Sequence, residues 1–331
     1  MIKKILIANR GEIALRVIRT CQALGIKTVA VYSDEDYGSM HVKKATEAYH
    51  IGEAAPKESY LNQQKIMDAI LASGADAIHP GYGFLSENSD FAKLCEKSKI
   101  NFIGPSAASM ELCGDKMRCK AAMLKAKVPT IPGSPDLVKD ANEALDIANK
   151  IGYPVLLKSV FGGGGRGIRL VNNDKELHEA FETVTGESMA AFGKSAILVE
   201  KFLEKIRHIE YQLVRDKHGN AVHAFERECS IQRRNQKLIE QTPSPAVDQK
   251  TRERIGELVI KAAEAVDYTN LGTAEFLRAD NGEFYFIEIN ARLQVEHPIT
   301  ELVTGLDLVK LQIKAGSGGN ISVIGVRTIA S

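Results

Sequence analysis

The stretch GEFYFIEINARLQVEHP, residues 282–298, carries the densest chemistry in a chain of 331 residues. Side chains alternate faces along an extended backbone. Glu288, Asn290, Arg292, Gln294 and Glu296 therefore point one way, and Ile287, Ile289, Ala291, Leu293 and Val295 the other. An ordinary amphipathic edge strand gives the same alternation, but the apolar flanks predict burial, and buried charges require partners. The preceding segment LGTAEFLR (271–278) offers one. A two-residue turn at Asn281-Gly282 would pair Asp280 with Glu283 and, counting back, set Glu275 across from Glu288. Facing carboxylates repel unless a cation lies between them. Oxygen donors from Glu275, Glu288 and Asn290 suit Mg²⁺ (or Mn²⁺) held together with substrate phosphates. A longer loop through Ala279 and Asp280 would shift this register and keep the ligand types. Arg292 is a planar fork for an anion, and Glu296, four residues on, could serve as a general base. Upstream, ECSIQRRNQK (228–237) packs Arg233, Arg234 and Lys237 into five residues. Beside so acidic a site, and in a chain of balanced charge, this cluster reads as an anion pocket rather than a nucleic-acid patch.

Residues 162–167, GGGGRG, satisfy G-x-G-x-x-G, but a dinucleotide fingerprint needs a helix immediately after the loop and here a strand follows. The first βα turn, ANRGEIA, holds a single glycine, and Gly193-Lys194-Ser195 has Ser188 where a Walker A loop needs glycine. What remains is a glycine flap between two strands, with Lys158 before it and Arg166 inside it. Missing Cβ atoms let backbone N–H groups approach phosphate oxygens. His79, in IHPGYGFLSEN, reads as a packed structural residue.

These residues need a scaffold, and the first third of the chain supplies the rhythm of an open parallel sheet. Strands are expected at 3–10, 27–33, 75–80 and 100–105, with helices at 11–24, near 60–73 and near 89–97. Beyond Gly114 the signals change. Helices are expected at 116–127 and 141–152, strands at 154–160 and 167–171, then mainly strands from 196, a helix at 252–266 and a hairpin at 272–290. The 43 basic and 42 acidic residues leave a net charge of +1, which excludes a dedicated polyelectrolyte binder, and 44% hydrophobic with 26% charged residues excludes disorder. Cys21, Cys95, Cys113, Cys119 and Cys229 are scattered with no C-x-x-C pair, which fits a reducing cytoplasm. The apolar stretch in MIKKILIANRGE is too short for a signal sequence, and nowhere do 18 apolar residues run together, so neither membrane nor nucleic acid is an expected partner.

The ordered strings KKILIANRGEIALRVIRTCQALGI, HPGYGFLSEN, FIGPS, GDKMRCK, GGGGRG, ECSIQRRNQK, FYFIEINARLQVEHP and TELVTGLDLV resemble biotin carboxylase almost continuously over residues 2–314. The resemblance implies an α/β protein in which a Rossmann-like domain (1–113) precedes an ATP-grasp α+β domain (114–314) with a mobile lid near 135–203. It implies an enzyme that uses ATP, Mg²⁺ and bicarbonate to carboxylate biotin on a carrier protein, the first half-reaction of acetyl-CoA, propionyl-CoA or pyruvate carboxylases. By the same resemblance Lys116 and Lys158 would contact ATP phosphates, and Gly164 and Gly165 would close over them. Glu200, Lys201, Phe202 and Leu203 would line the adenine pocket, with His208 and Gln232 near the ribose and base. Glu275 would serve both ATP and the metal, with Glu288 and Asn290 as its fellow metal ligands. Bicarbonate would sit against Lys237, Arg292, the Gln294 side chain and the Val295 backbone, with Glu296 as base. The implied partners are a biotin carboxyl carrier protein, a carboxyltransferase subunit and a second copy of the chain.

Two departures stand out. Asn235 occupies the place where the family typically has a histidine beside the ribose, which predicts a modest loss of ATP affinity. Residues 315–331 diverge from the opening of the family's C-terminal subdomain, which supplies an arginine for the biotin ureido oxygen and contributes dimer contacts. On this reading the subdomain is missing. That departure raises a non-catalytic or partial nucleotide-binding subunit as an alternative, and another ATP-grasp ligase of the carbamoyl-phosphate synthase type is the enzymatic rival.

Overall fold

The computed structural model describes residues 2–160, 167–193, 196–234 and 236–321. They fall into two compact units: the described parts of Met1–Val128, His208–Phe276 and Glu288–Ser331, and those of Pro129–Arg207 and Leu277–Ile287.

In the first unit, short β-branched runs alternate with amphipathic helices. The order is β1 (Lys4–Ile7), α1 (Gly11–Ala23), β2 (Lys27–Ser33), α2 (Met40–Lys44), β3 (Glu47–Gly52), α3 (Gln63–Ser73), β4 (Ala77–His79), α4 (Ser89–Lys97) and β5 (Asn101–Phe102). The strands form the expected parallel sheet in the order β3-β2-β1-β4-β5, with β3 an edge strand beyond the four expected, Ile5 opposite Ala77 and Ile7 opposite His79. β2 spans the expected residues, whereas β1, β4 and β5 are shorter than expected; the Asn9 amide reaches the carbonyls of Pro80 and Tyr82 at 2.8 and 2.7 Å and ties the β1 and β4 exits together. His79 is buried as a packing residue, with Nδ1 accepting from the Gly81 N–H at 3.0 Å, and burial lowers it to about 4. Caps begin the helices where the sequence offers them: Asn62 accepts from the Lys65 N–H, and Asn88 from the Phe91 N–H.

Helices α5 (Ala107–Gly114) and α6 (Lys116–Lys125) follow, separated by Asp115, whose carboxylate caps α6. Unit 2 then contributes α7 (Ala141–Ile151), β6 (Val155–Ser159), β7 (Ile168–Val171), α8 (Asp174–Phe192) and β8 (Ile197–Lys201). Its antiparallel sheet, ordered β7-β6-β8, packs Val155, Leu157, Ile197 and Val199 against Ala144, Ala148, Leu177 and Val184 of the two helices.

The chain then builds β9 (Arg207–Arg215), β10 (Ala221–Arg233), β11 (Gln236–Gln241), α9 (Gln249–Ala265), β12 (Asn270–Arg278), β13 (Phe284–Asn290), α10 (His297–Thr304) and α11 (Leu308–Gly316). These strands are ordered β11-β10-β9-β12-β13. Leu271, Leu293, Leu308, Val309 and Ile313 share one apolar cluster with Ile5, Val17 and Ile18 of the parallel sheet and its first helix. Arg16 fixes the same packing from the rim, bonding Glu301 at 2.7 Å and Asp307 at 2.9 Å.

Two expectations are corrected. The β12–β13 turn has three residues, not two: Ala279 N–H donates to the Glu283 carbonyl at 2.8 Å, and Gly282 N–H to the Ala279 carbonyl at 3.0 Å, with Gly282 at φ +85°. That left-handed conformation suits glycine and allows the bulged turn. Beyond the turn, Glu275 still shares a face with Asn290, whose amide bonds it at 2.8 Å. The second correction concerns the polar face, which stays extended only to Asn290. The chain then turns into α10, with Pro298 in that helix's first turn. Val295 is left 59% exposed, while Gln294 and Glu296 are buried.

Candidate active site

Lys237 occupies the centre of the site. It follows the tip of the β10–β11 hairpin, opposite Gln232, and differs from its basic neighbours: Arg233 and Arg234 are exposed, whereas the Lys237 stem runs inward. Its ammonium bonds the carboxylates of Glu210, of Glu275 at 2.9 Å and of Glu296 at 2.7 Å. Burial would lower its pKa, but the three carboxylates raise it and keep the lysine protonated. Glu210, on β9, is fully buried. Its desolvation is overcome by Arg227, His208 and Lys237, which hold its pKa well below the usual carboxylate range. His208 Nε2 lies 3.0 Å from Glu275, and although burial opposes its charge, Glu210 and Glu275 raise it to about 9. Glu275 is correspondingly lowered, its own burial outweighed by the neighbouring cations, His208 first. Three carboxylates thus face three cations, and the cluster is neutral in spite of its burial.

Beside it lies a cleft of about 330 Å³ lined by Glu87, Cys113, Lys116, Glu288 and Asn290, among others. Glu288 is raised above the usual carboxylate range, by burial first and then by repulsion from Glu275, with Lys116 partly offsetting both. Asn290 Nδ2 donates to Glu275 at 2.8 Å, and Glu288 lies close enough to Glu275 to be repelled by it, so the three expected metal ligands are neighbours. Two adjacent carboxylates, one destabilised as an anion, together with a neutral amide oxygen, form a donor set that fits a hard divalent cation. Arg292 completes the polar floor. Its Nε donates to Glu87 at 2.9 Å and its Nη1 to Gln294 Oε1 at 2.9 Å, so the guanidinium is fixed before any anion arrives. His297 anchors the turn from below: its Nδ1 lies 2.8 Å from the Gln294 carbonyl and carries the proton for that contact, and burial lowers its pKa to about 4.

The first unit therefore brings together Lys116, His208, Lys237, Glu275, Glu288, Asn290, Arg292, Gln294 and Glu296, with Gln232 exposed on the β10–β11 hairpin and donating to the Cys229 carbonyl at 2.8 Å. The second unit holds Lys158 and Glu200–Leu203. Lys158 pairs with Glu200 at 2.6 Å, and the Lys201 ammonium is turned onto the carbonyls of Gly152 and Tyr153 at 3.0 and 2.7 Å. Gly164, Gly165, Arg166 and Asn235 lie outside the described residues.

Sequence reasoning missed Glu87, Glu210 and Arg227. The signal for Glu210 was present, since His208, Glu210 and Gln212 alternate with the buried Ile209, Tyr211 and Leu213 just as the polar residues of 282–290 alternate. Glu87 has no local signal; its role arises from a contact with Arg292 across 205 positions of sequence.

The five thiols are all free and buried. Desolvation raises Cys21, Cys95 and Cys113 to about 12 and Cys119 to about 11, and raises Cys229 further.

Comparison with known proteins agrees with this geometry. Residues 1–110 match the family described as biotin carboxylase, N-terminal domain, and residues 115–324 match that of the carbamoyl-phosphate synthase L chain, ATP binding domain. The 2-oxoglutarate carboxylase small subunit of Hydrogenobacter thermophilus is 54% identical over 96% of this chain and 67% of its own length. Biotin carboxylase 1 of Bacillus subtilis is 51% identical over 98% of this chain and 72% of its own. A crystal structure of Campylobacter jejuni biotin carboxylase in complex with β,γ-ATP has a TM-score of 0.88 at 49% identity, covering 97% of this chain and 72% of that one. The biotin carboxylase domain of a thermophilic 2-oxoglutarate carboxylase bound to bicarbonate has a TM-score of 0.93 at 50% identity, covering 99% and 72%. From its parallel N-terminal sheet through its ATP-binding half to its cluster of paired carboxylates and cations, the chain belongs to the biotin carboxylase family.

Proposed function

We propose that this chain carries out the ATP- and bicarbonate-dependent carboxylation of biotin on a carrier protein. The observation that carries this reading is the Glu296 carboxylate, held 2.7 Å from the Lys237 ammonium beside an Arg292 guanidinium already oriented by Glu87 and Gln294. A base thus stands against one fixed cation, in a cluster that Gln294 ties to a second, which is what deprotonation of a small oxyanion requires. Bicarbonate binds against Lys237, Arg292, the Gln294 side chain and the Val295 backbone, and Glu296 removes its proton. The resulting oxyanion attacks the γ-phosphorus of ATP, the bond to the β-phosphate oxygen breaks, and ADP leaves with formation of carboxyphosphate. Glu275, Glu288 and Asn290 would hold Mg²⁺, which when bound neutralises charge on the phosphate oxygens. Lys116 and Lys158, with Gly164 and Gly165, take the phosphates. Glu200, Lys201, Phe202 and Leu203 take the adenine, and His208 and Gln232 the ribose and base. Carboxyphosphate breaks into CO₂ and phosphate, the phosphate accepts the N1 proton of biotin, and N1 captures CO₂. The partners of this reading are a biotin carboxyl carrier protein and a carboxyltransferase, which chooses the final acyl acceptor. Residues 1–113 act as the Rossmann-like part, and residues 114–314 as the ATP-grasp part with a lid near 135–203.

The test is ATP hydrolysis that depends on bicarbonate, is stimulated by free biotin and is abolished in Glu296→Ala. ATP binding without such turnover refutes catalysis by this chain and selects a nucleotide-binding subunit in its place.

A further inference from the structure

Arg227 is the largest fully buried side chain among the described residues, and nothing in the reaction above uses it. Its Nε donates to Glu210 at 2.6 Å, Nη1 to Gln212 Oε1 at 2.8 Å and to Thr300 Oγ1 at 2.9 Å, and Nη2 to Thr273 Oγ1 at 3.1 Å. One planar group thereby joins four elements: its own strand β10, β9 through Glu210 and Gln212, β12 through Thr273, and α10 through Thr300. Two of these contacts lead back to the reacting groups by separate routes. Glu210 turns its other oxygen to Lys237, and Thr300 stands one helical turn beyond Glu296, at the start of the same helix. Lys237 and Glu296 then meet each other at 2.7 Å and close the ring. A buried charge is expensive, and well-packed apolar groups of similar volume stabilise as much or more, so fold stability alone gives little reason for a guanidinium here. A rigid fork with donors in fixed directions does something an apolar plug cannot: it sets the angle between a strand and a helix through paired hydrogen bonds.

We propose that Arg227 is a positioning residue for the bicarbonate reaction, fixing Lys237 through Glu210 and Glu296 through Thr300 so that cation and base stand at one defined separation. This rests on the proposed carboxylation, and the experiment keeps the two apart. Thr300→Val removes only the Arg227 bond to α10 at nearly constant volume, and Thr300→Ser restores the acceptor oxygen. Because small misplacements of reacting groups are costly, Thr300→Val lowers kcat/KM for bicarbonate about tenfold, leaves KM for ATP within about twofold of the parent, and is rescued by Thr300→Ser. A merely structural Thr300 would lower the melting temperature and leave this split unmoved. Parent-like bicarbonate kinetics in Thr300→Val, or a Thr300→Ser as poor as Thr300→Val, overturns the proposal. If the parent itself shows no bicarbonate-dependent turnover, the functional reading fails and a stability cycle decides the structural one. Thr300 and Lys237 do not bond each other, so urea midpoint shifts of Thr300→Val and Lys237→Met that add in the double variant refute the linkage, and shifts that fail to add support it.

Discussion

Replacing Lys237 by methionine keeps the length of the stem and deletes the charge on which three buried carboxylates converge. Glu210, Glu275 and Glu296 would then face only Arg227 and His208, leaving one uncompensated negative charge. Breaking a buried ion pair from one side costs about 3–5 kcal/mol. Protonation sets a ceiling on that cost. Neutralising one carboxyl of ordinary pKa about 4.3 costs about 1.4 kcal/mol per pH unit, or about 5 kcal/mol at pH 8 and about 2 kcal/mol at pH 6. In the parent, Glu210 and Glu275 titrate below the usual range, so their contribution is fully present above it and is lost only as pH falls through those lowered values. In Lys237→Met their pKa values rise, and acidification adds stability. The deficit therefore narrows from pH 8 to pH 6. At roughly 2–4 °C per kcal/mol, it corresponds to a drop of about 10–15 °C in Tm at pH 8 and about half that at pH 6. Circular-dichroism melts of both proteins with a chelator present, at pH 6, 7 and 8, measure it. A deficit below about 1 kcal/mol at pH 8, or one independent of pH, would refute the account of the cluster as a charge-balanced unit.

Glu87→Gln keeps the bond to the Ala291 N–H but removes the charge that aligns Arg292. KM for bicarbonate is expected to rise about tenfold, with KM for ATP unchanged and, at so exposed a pair, under about 1 kcal/mol lost in stability; initial rates at varied bicarbonate check this. His208, lifted to about 9, contributes stability that is complete below its ordinary value near 6.5 and is lost as pH rises through 9. His208→Gln should therefore flatten the alkaline limb of Tm against pH between 6.5 and 9.5, and an unchanged limb would show that His208 is not paired. Glu288→Gln relieves the carboxylate repulsion and is expected to raise Tm without metal while abolishing the extra shift given by Mg²⁺ with ATP, read by thermal shift with and without chelator. Asn235→His should lower KM for ATP modestly, and an unchanged KM would remove Asn235 as a cause of weaker nucleotide binding.

The parallel sheet was legible because its strands are short apolar runs punctuated by caps such as Asn62 and Asn88, signals that act within a few residues. The identities of the acidic and basic site residues were legible for a similar reason, since one strand carries Glu288 and Asn290 at alternate positions. What the sequence hid is long-range geometry. The β12–β13 turn holds one residue more than the shortest hairpin, and the fate of Val295 depends on how early Pro298 starts a helix. The inward path of Lys237 is equally invisible beside Arg233 and Arg234, since the three share one composition and only the tertiary position of Glu210, Glu275 and Glu296 separates them. Glu87 and Arg227 matter through partners far away in the chain, and residue type alone does not distinguish them from surface charges.

All five cysteines lie in the first unit, and their thiols, with pKa values at or above about 11, yield almost no thiolate in the native state. Alkylation can then proceed only when the surrounding structure opens. Pulse labelling read by mass spectrometry would register fluctuations of that unit alone, because the described residues of the other unit contribute no sulfhydryl. The chain carries an intrinsic clock for local opening: Cys21 reports on the first helix of the parallel sheet, and Cys229 on the strand beside Lys237. Slowing of Cys229 labelling by nucleotide or bicarbonate, with Cys21 unaffected, would time how ligands tighten the charged core with the native thiols as the only reporters.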